Sequence, residues 1–492
     1  MEKLLYGLRC ILLLTVITAL LTRVNHITIP KYTLANSEWP STSTYHQFYK
    51  MEKDTLDVLF FGASVAVNSF SPQELYNNFG ITSYNLGSEQ QSIFLSYFWL
   101  KEALTYQSPK VVVLDTLYLF NAHPENAINT TEGLTRKCLD PMRFSKIKRD
   151  AVKELCALDE NQTKLSYYLS NWRFHTRWTG LSEVDFLPAE YEYAPLKGYG
   201  PIASYGPPSY TAFTPTNDVD FEEPVPVMLE YLEKFADLCR ENDITLILTT
   251  IPGEGMNDAR NNTLKKYSQA HNIRYLNMCE ASQWQKINAE LPRESANYHS
   301  NFWGAQKITN YIGTIIADDY KMPAHTDDQY EKTKDTYRHV KSTCELSHFT
   351  IPDVYLKVLY DKDFSIFIAA SGDATSGLTE ATRKGLSQIG LDTDFSGLGD
   401  RHYIAVIERG KKLIEATSAE TLLEGGTIRL GKTRWRLTSG VNDSNAPIGS
   451  ILINGTEKSW NKEGLNIVVY DHMMEKVVDA SYIAPDGLLK RE

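Results

Sequence analysis

Ser64 presents a hydroxyl where a fold of strands and helices could use one. It follows Leu56-Asp57-Val58-Leu59-Phe60-Phe61-Gly62-Ala63. That apolar run reads as a buried parallel strand ending in small residues that can turn sharply. In open α/β sheets, ligands gather at the carboxyl ends of the strands. A serine there either takes part in chemistry or turns the chain and caps the next helix. Asp115 closes a similar run, Lys110-Val111-Val112-Val113-Leu114, and places a carboxyl group at a strand end. The six cysteines are scattered, without CxxC or finger spacing. They point to no metal site, no cofactor and no disulfide framework.

The elements that would carry these residues alternate along the chain. Strands are expected at 56–61, 81–86, 110–115, 245–251 and 273–277. Helices are expected at 92–105, 226–242, 256–271 and 303–317. Alternation at this spacing implies a parallel sheet covered on both faces, an α/β fold. Between the third and fourth strands lies an insertion, 121–224. Its 144–178 stretch has helical period, and its 187–223 stretch reads as a Pro- and Gly-rich loop with five tyrosines. A connection of this length is either a lid or binding surface, or decoration on one sheet edge.

At 492 residues the chain is long enough for two or three domains. Its net charge of -11 argues against nucleic acid as a partner. The 29 tyrosines and 8 tryptophans suit a sugar-binding surface as well as they suit cores. Residues 1–23 read as a signal anchor or transmembrane segment. Lys3 and Arg9 lead into an apolar run ending at Leu21, and no small-x-small cleavage site follows. A cleaved signal peptide is the alternative. The anchor reading puts the chain in the cell membrane as a single-pass protein, with its bulk outside the cytoplasm. Residues 24–53 read as a stalk.

Three blocks carry a resemblance. Phe61-Gly62-Ala63-Ser64, Tyr84-Asn85-Leu86-Gly87 and Asn297-Tyr298-His299-Ser300-Asn301-Phe302-Trp303 stand in order on the expected elements. Together they resemble the SGNH (GDSL-type) hydrolases. The likeness is nearest to the membrane-anchored bacterial branch, which includes the teichoic-acid D-alanine transfer protein and the alginate acetylation proteins. It covers about residues 54–320 and implies a flavodoxin-like three-layer domain. It further implies Ser64 as nucleophile and His299 as its general base. The backbone N–H groups of Ser64 and Gly87 would donate to the oxyanion. Two positions depart from the family pattern. Ala296 stands where the family has an aspartate three residues before the histidine, with Glu294 and Asn297 as off-register substitutes. Asp115-Thr116-Leu117 stands where smaller relatives have an oxyanion asparagine, and Asp115 is left to contact substrate or to cap a turn.

Beyond 320 the composition changes. Residues 321–349 are heavily charged and read as a linker. From 350 to 492 strand patterns dominate, at 365–370, 402–407, 427–430, 448–453 and 465–470, with one helix at 379–389. His402-Tyr403-Ile404-Ala405-Val406-Ile407 and Gly464-Leu465-Asn466-Ile467-Val468-Val469-Tyr470-Asp471 resemble the interleukin-like EMT inducer domain. That likeness implies a β-rich module for glycan binding or packing. Two function classes follow. One is a cell-surface esterase or O-acyltransferase acting on cell-envelope polysaccharide. The other is a non-catalytic glycan-binding or assembly protein that has lost the catalytic acid.

Overall fold

A computed structural model describes residues 2–30, 43–121, 131–181, 183–186, 196–203, 212–216, 218–252, 255–287, 295–296, 299–399 and 401–491. The chain divides into two units, Met1–Tyr337 and Arg338–Glu492. The first begins with α1 (Glu2–Thr28), α2 (Ser43–Phe48), β1 (Val58–Phe61), α3 (Ser64–Ser69), α4 (Pro72–Phe79), β2 (Ser83–Asn85), α5 (Ile93–Ala103) and β3 (Val111–Asp115). The insertion supplies α6 (Glu132–Leu139), α7 (Lys146–Leu158), α8 (Lys164–Tyr168) and α9 (Ser170–Phe174). Then come α10 (Pro226–Glu241), β4 (Thr245–Thr250), α11 (Asp258–His271), β5 (Arg274–Asn277), α12 (Ala281–Ile287), and the short strands β6 (Ser295–Ala296) and β7 (His299–Ser300).

The five longer strands form one parallel sheet in the order β2-β1-β3-β4-β5. Every residue of β1 and β3 is buried, because helices cover both faces of the sheet. Alternate residues of each strand feed separate cores. Leu59, Phe61, Val112 and Leu114 pack with α5 and α10 through Trp99, Leu232 and Phe235. Val58, Phe60, Val111 and Val113 pack with α3, α4 and the Phe302–Asp319 helix through Phe70, Leu75 and Ile312. Each such side chain contributes about 2 kcal/mol of hydrophobic stabilisation. The sheet therefore fixes both its ends and what projects from them.

Three sequence expectations need correction. The helix that carries the apolar run extends past residue 23 into the stretch expected as stalk. It continues to Thr28, since Val24 to Thr28 lacks any helix-breaking residue. Residues 43–53 are not stalk. Tyr45 and Phe48 are fully buried in the first core, where Tyr45 stacks on Trp99 with centroids 4.0 Å apart and donates its hydroxyl to Gln91 Oε1 at 2.6 Å. Residues 321–349 are not an irregular linker. They hold the helices Asp328–Glu331 and Lys334–Leu346. Tyr330 and Tyr337 are buried among the charges, and a single apolar stripe is enough to dock a helix whose other faces are charged.

α1 is 27 residues long and exposes its apolar side chains. At about 1.5 Å per residue it measures roughly 40 Å, more than the ~30 Å hydrocarbon core of a bilayer. By length and composition its Lys3–Thr28 stretch can cross a membrane.

The second unit is β-rich and antiparallel. Its strands are β8 (Phe364–Ser371), β9 (His402–Glu408), β10 (Lys411–Ser418), β11 (Leu422–Ile428), β12 (Thr433–Val441), β13 (Pro447–Ile453), β14 (Thr456–Glu457), β15 (Gly464–Asp471), β16 (Lys476–Ile483) and β17 (Leu489–Lys490). A six-stranded sheet runs β10-β9-β8-β15-β16-β17, and a four-stranded sheet runs β11-β12-β13-β14. Phe367, Val406, Leu437, Ile451 and Val468 fill the space between the sheets. The helices Pro352–Val358 and Glu380–Gln388 cover the other face of the larger sheet through Tyr355, Leu356 and Leu386.

A buried ion network secures this unit. Both ring nitrogens of His339 meet carboxylates, Asp361 at 2.9 Å and Asp471 at 2.7 Å. Burial works against the imidazolium, but the bonds to Asp471 and Asp361 outweigh it and raise His339 to about 9. That value lies above the ordinary 6.5. The stabilisation is therefore complete below pH 6.5 and is lost as pH rises through 9. Amide hydrogen exchange across residues 338–491 should stay slow up to neutrality and quicken as pH approaches 9, beyond the intrinsic rise of exchange with pH. In His339→Gln this extra pH dependence should vanish.

Candidate active site

The sharp turn after β1 is imposed by packing. Gly62 has φ +147°, and a Cβ there would lie 2.4 Å from the Asp115 Cβ and 2.9 Å from that of Ala66. Only glycine lets the end of β3 approach so closely. The chain then enters α3, with Ala63 at the cap position and no side-chain cap bond. Ser64 is thus the first residue of the helix and not its cap. Its half-buried hydroxyl lies 2.8 Å from Nε2 of His299, a residue 235 positions away.

His299 is delivered by a hairpin. β6 and β7 pair antiparallel, with Ala296 opposite His299 and Ser295 opposite Ser300. The family spacing of an acid three residues before the histidine thus corresponds here to a cross-strand pair, whose Cβ atoms are typically about 5 Å apart. Glu294 and Asn297 lie outside the described residues. A second bond runs parallel to the Ser64–His299 contact. The buried hydroxyls of Ser69 and Ser300 meet at 2.8 Å, so β7 is tied to the last residue of α3 as well as to the first. Asn301 then caps the Phe302–Asp319 helix by accepting from the Gly304 N–H at 3.1 Å.

Asn85, inside the second sequence block, is a part that sequence reasoning passed over. Its side chain is fully buried. Nδ2 donates to the carbonyls of Ala66 at 2.9 Å and Phe70 at 3.0 Å, and Oδ1 accepts from the Gly87 N–H at 3.0 Å. One amide therefore joins the serine helix to the turn after β2. The Gly87 N–H points at Asn85 and not into open space. The insertion closes over this junction. The Asn85 N–H donates to Lys197 O at 3.0 Å, the Gly200 N–H to Val67 O at 3.0 Å, and the Phe302 N–H to Ile202 O at 2.8 Å. Gly198 has φ +87°, and a Cβ there would stand 1.9 Å from Asn85 O.

Asp115 is buried and binds backbone. One carboxylate oxygen accepts from the Leu117 N–H at 3.3 Å and the other from the Ala63 N–H at 3.4 Å. It caps the turn after β3 and steadies the residue before Ser64. The structure thus brings Ser64 and His299 together, ties the Gly87 N–H to Asn85, and bonds Asp115 to the Ala63 N–H before the serine.

Burial lowers the His299 pKa below the ordinary 6.5, while the charge of Glu89 pulls the other way. Glu89 is itself paired with Lys137 of α6 at 2.8 Å. A neutral imidazole bonded to a serine hydroxyl can accept its proton as that oxygen attacks. For a metal, the described residues bring His339, Asp361 and Asp363 together with three donor atoms within 4.8 Å. Both His339 nitrogens are already bonded to carboxylates, and Asp363 pairs with Arg409 at 2.7 Å, so this group is an ion-pair network.

Compared with protein-family models and with curated proteins, the chain has no match.

Two measurements test this arrangement. Asn85→Ala strips partners from two buried carbonyls and one buried N–H. It should cost roughly 3 kcal/mol in denaturant unfolding and slow any reaction at Ser64. Ala296→Asp sets a carboxylate across the hairpin from His299. It should raise the imidazole pKa by about one unit and shift the pH profile of Ser64 reactivity upward by the same amount.

Proposed function

We propose that the first unit is a cell-surface serine esterase or O-acyltransferase of the SGNH type, acting on cell-envelope polysaccharide through Ser64 and His299. The observation that carries this reading is the 2.8 Å contact between Ser64 Oγ and His299 Nε2 at the carboxyl end of the parallel sheet. The strand order is also that of the flavodoxin-like folds. Ser64 Oγ attacks the acyl carbonyl as His299 takes its proton. The tetrahedral oxyanion meets the Ser64 N–H. The Gly87 N–H joins only by leaving Asn85. Collapse expels the sugar hydroxyl, which recovers the proton from His299 and leaves an acyl-serine. Water or a second hydroxyl then takes the acyl group by the reverse steps. No step needs a cofactor.

In this reading α1 is an uncleaved single-pass anchor, and the bulk of the chain lies outside the cytoplasm. The second unit, with the β-rich pattern of an interleukin-like EMT inducer domain, binds glycan and adds no catalytic group. Ala296 favours a second reading, a non-catalytic glycan-binding or assembly protein. It leaves position 296 without the carboxylate that the family places three residues before the histidine.

A fluorophosphonate probe separates the two. The full-length protein in detergent should be labelled at Ser64, and Ser64→Ala should abolish the label. Because the base is active when neutral and burial depresses its pKa, labelling should fall as pH drops, with the midpoint of that fall below pH 6.5. Absence of labelling throughout pH 6 to 9, with the protein folded, overturns the esterase reading and favours the binding-protein one.

A further inference from the structure

The insertion grips the carboxyl end of α1. Asn171 Nδ2 donates to the Leu21 carbonyl at 3.3 Å, and its Oδ1 accepts from Thr28 Oγ1 at 2.9 Å. Arg177 Nη1 donates to the Thr28 carbonyl at 2.6 Å, and its Nη2 pairs with Asp185 at 2.7 Å. These bonds join α9 and the turns after it to the last two turns of the apolar helix.

Large apolar side chains stand in the open beside this grip. Leu169 is 57% exposed, Trp172 61%, Trp178 69% and Phe186 62%. A folded unit that buries Trp99, Phe60 and Phe61 completely has left four large residues in water, each at a cost of about 2 kcal/mol relative to burial. Such clusters mark an interface. We propose that this face of the insertion rests in the headgroup layer of the bilayer that α1 enters, so that the first unit lies on the membrane instead of hanging from a tether. The inference rests on the reading of α1 as a membrane-spanning helix.

The lipid surface is chosen over a protein partner for two reasons. The patch is continuous with α1. A groove of about 590 Å³ between them is lined by Leu21 and Thr22 on one side and Leu169 and Trp172 on the other. The depth is also right. The bond from Asn171 to the Leu21 carbonyl sets Trp172 where the apolar run gives way to Thr22 and Arg23. That is the level at which tryptophan concentrates in membrane proteins, with its ring in the apolar boundary and its N–H in the headgroups.

α1 contains no tryptophan, so tryptophan quenching reports on the rest of the chain. The full-length protein is reconstituted into phosphatidylcholine–phosphatidylglycerol vesicles whose acyl chains carry bromine near the headgroup or near the terminal methyl. Headgroup-proximal bromine should quench more strongly. The Trp172→Phe/Trp178→Phe variant should lose that quenching by about twofold, since Trp172 and Trp178 are the rings that face lipid. If wild type and variant are quenched alike while both stay in the vesicles through alkaline carbonate, the face does not touch lipid and the proposal falls alone. If carbonate extracts the wild-type chain, the anchor reading falls and takes the proposal with it.

Discussion

The carboxamide of Asn85 holds the candidate site in register. Sheet packing alone sets β1 and β2 side by side, but it does not fix the direction in which a six-residue helix leaves β1. Asn85 supplies that constraint, donating to Ala66 of α3 and to Phe70 just after it and accepting from the Gly87 turn. Ser64 sits at the start of α3, so its hydroxyl inherits the orientation that the amide sets. The Ser69–Ser300 bond then carries the same reference to the histidine hairpin. A buried amide with every bond made is rigid, and with any bond unmade it is costly. Such a group suits a site that must present two side chains from distant parts of the chain at hydrogen-bonding distance.

What could be read from the residues follows from which signals are local. β1, β3 and β4 lie inside the sheet, and their unbroken apolar runs survive any tertiary context. β12 was missed because burial alternates along it, so Arg434 and Arg436 interrupt the apolar signal of Trp435 and Leu437. β10 is half-exposed throughout and carries no apolar run. Tyr45 and Phe48 escaped notice because two aromatic residues in a short polar stretch show no period. In the site, Ser64 was legible from its strand, and His299 only through the likeness of a block. Asn85 lay in view within another block, but the partners of a side chain at three backbone positions are a matter of tertiary geometry.

The insertion has a clear place in this architecture. One of its described segments, residues 196–203, runs past Asn85, α3 and the start of the Phe302–Asp319 helix. Its helical part, at α9, holds the end of α1. A single stretch of chain therefore contacts both the serine helix and the apolar helix. Beside the two expectations for it, a lid or binding surface and a decoration of one sheet edge, residues 196–203 are hydrogen-bonded to Asn85, Val67 and Phe302 and so buttress the site.

The position of that insertion also bears on how the chain reaches its native state. β3 and β4 are hydrogen-bonded neighbours, yet Leu114 and Thr249 across that seam are 135 residues apart in sequence. The equilibrium cost of so long a loop is small, since doubling its length adds only about 0.6 kcal/mol. The kinetic cost is larger, because a pairing of such separation must wait for a long-range encounter that local structure does not reward. Without β4, a sheet of β1, β2 and β3 would present an open apolar edge, the kind of surface on which chains aggregate. Helices α6 to α9 can form before that closure from contacts near in sequence. Of the pairings in the parallel sheet, β3 with β4 is thus the one whose formation depends most on a long-range encounter.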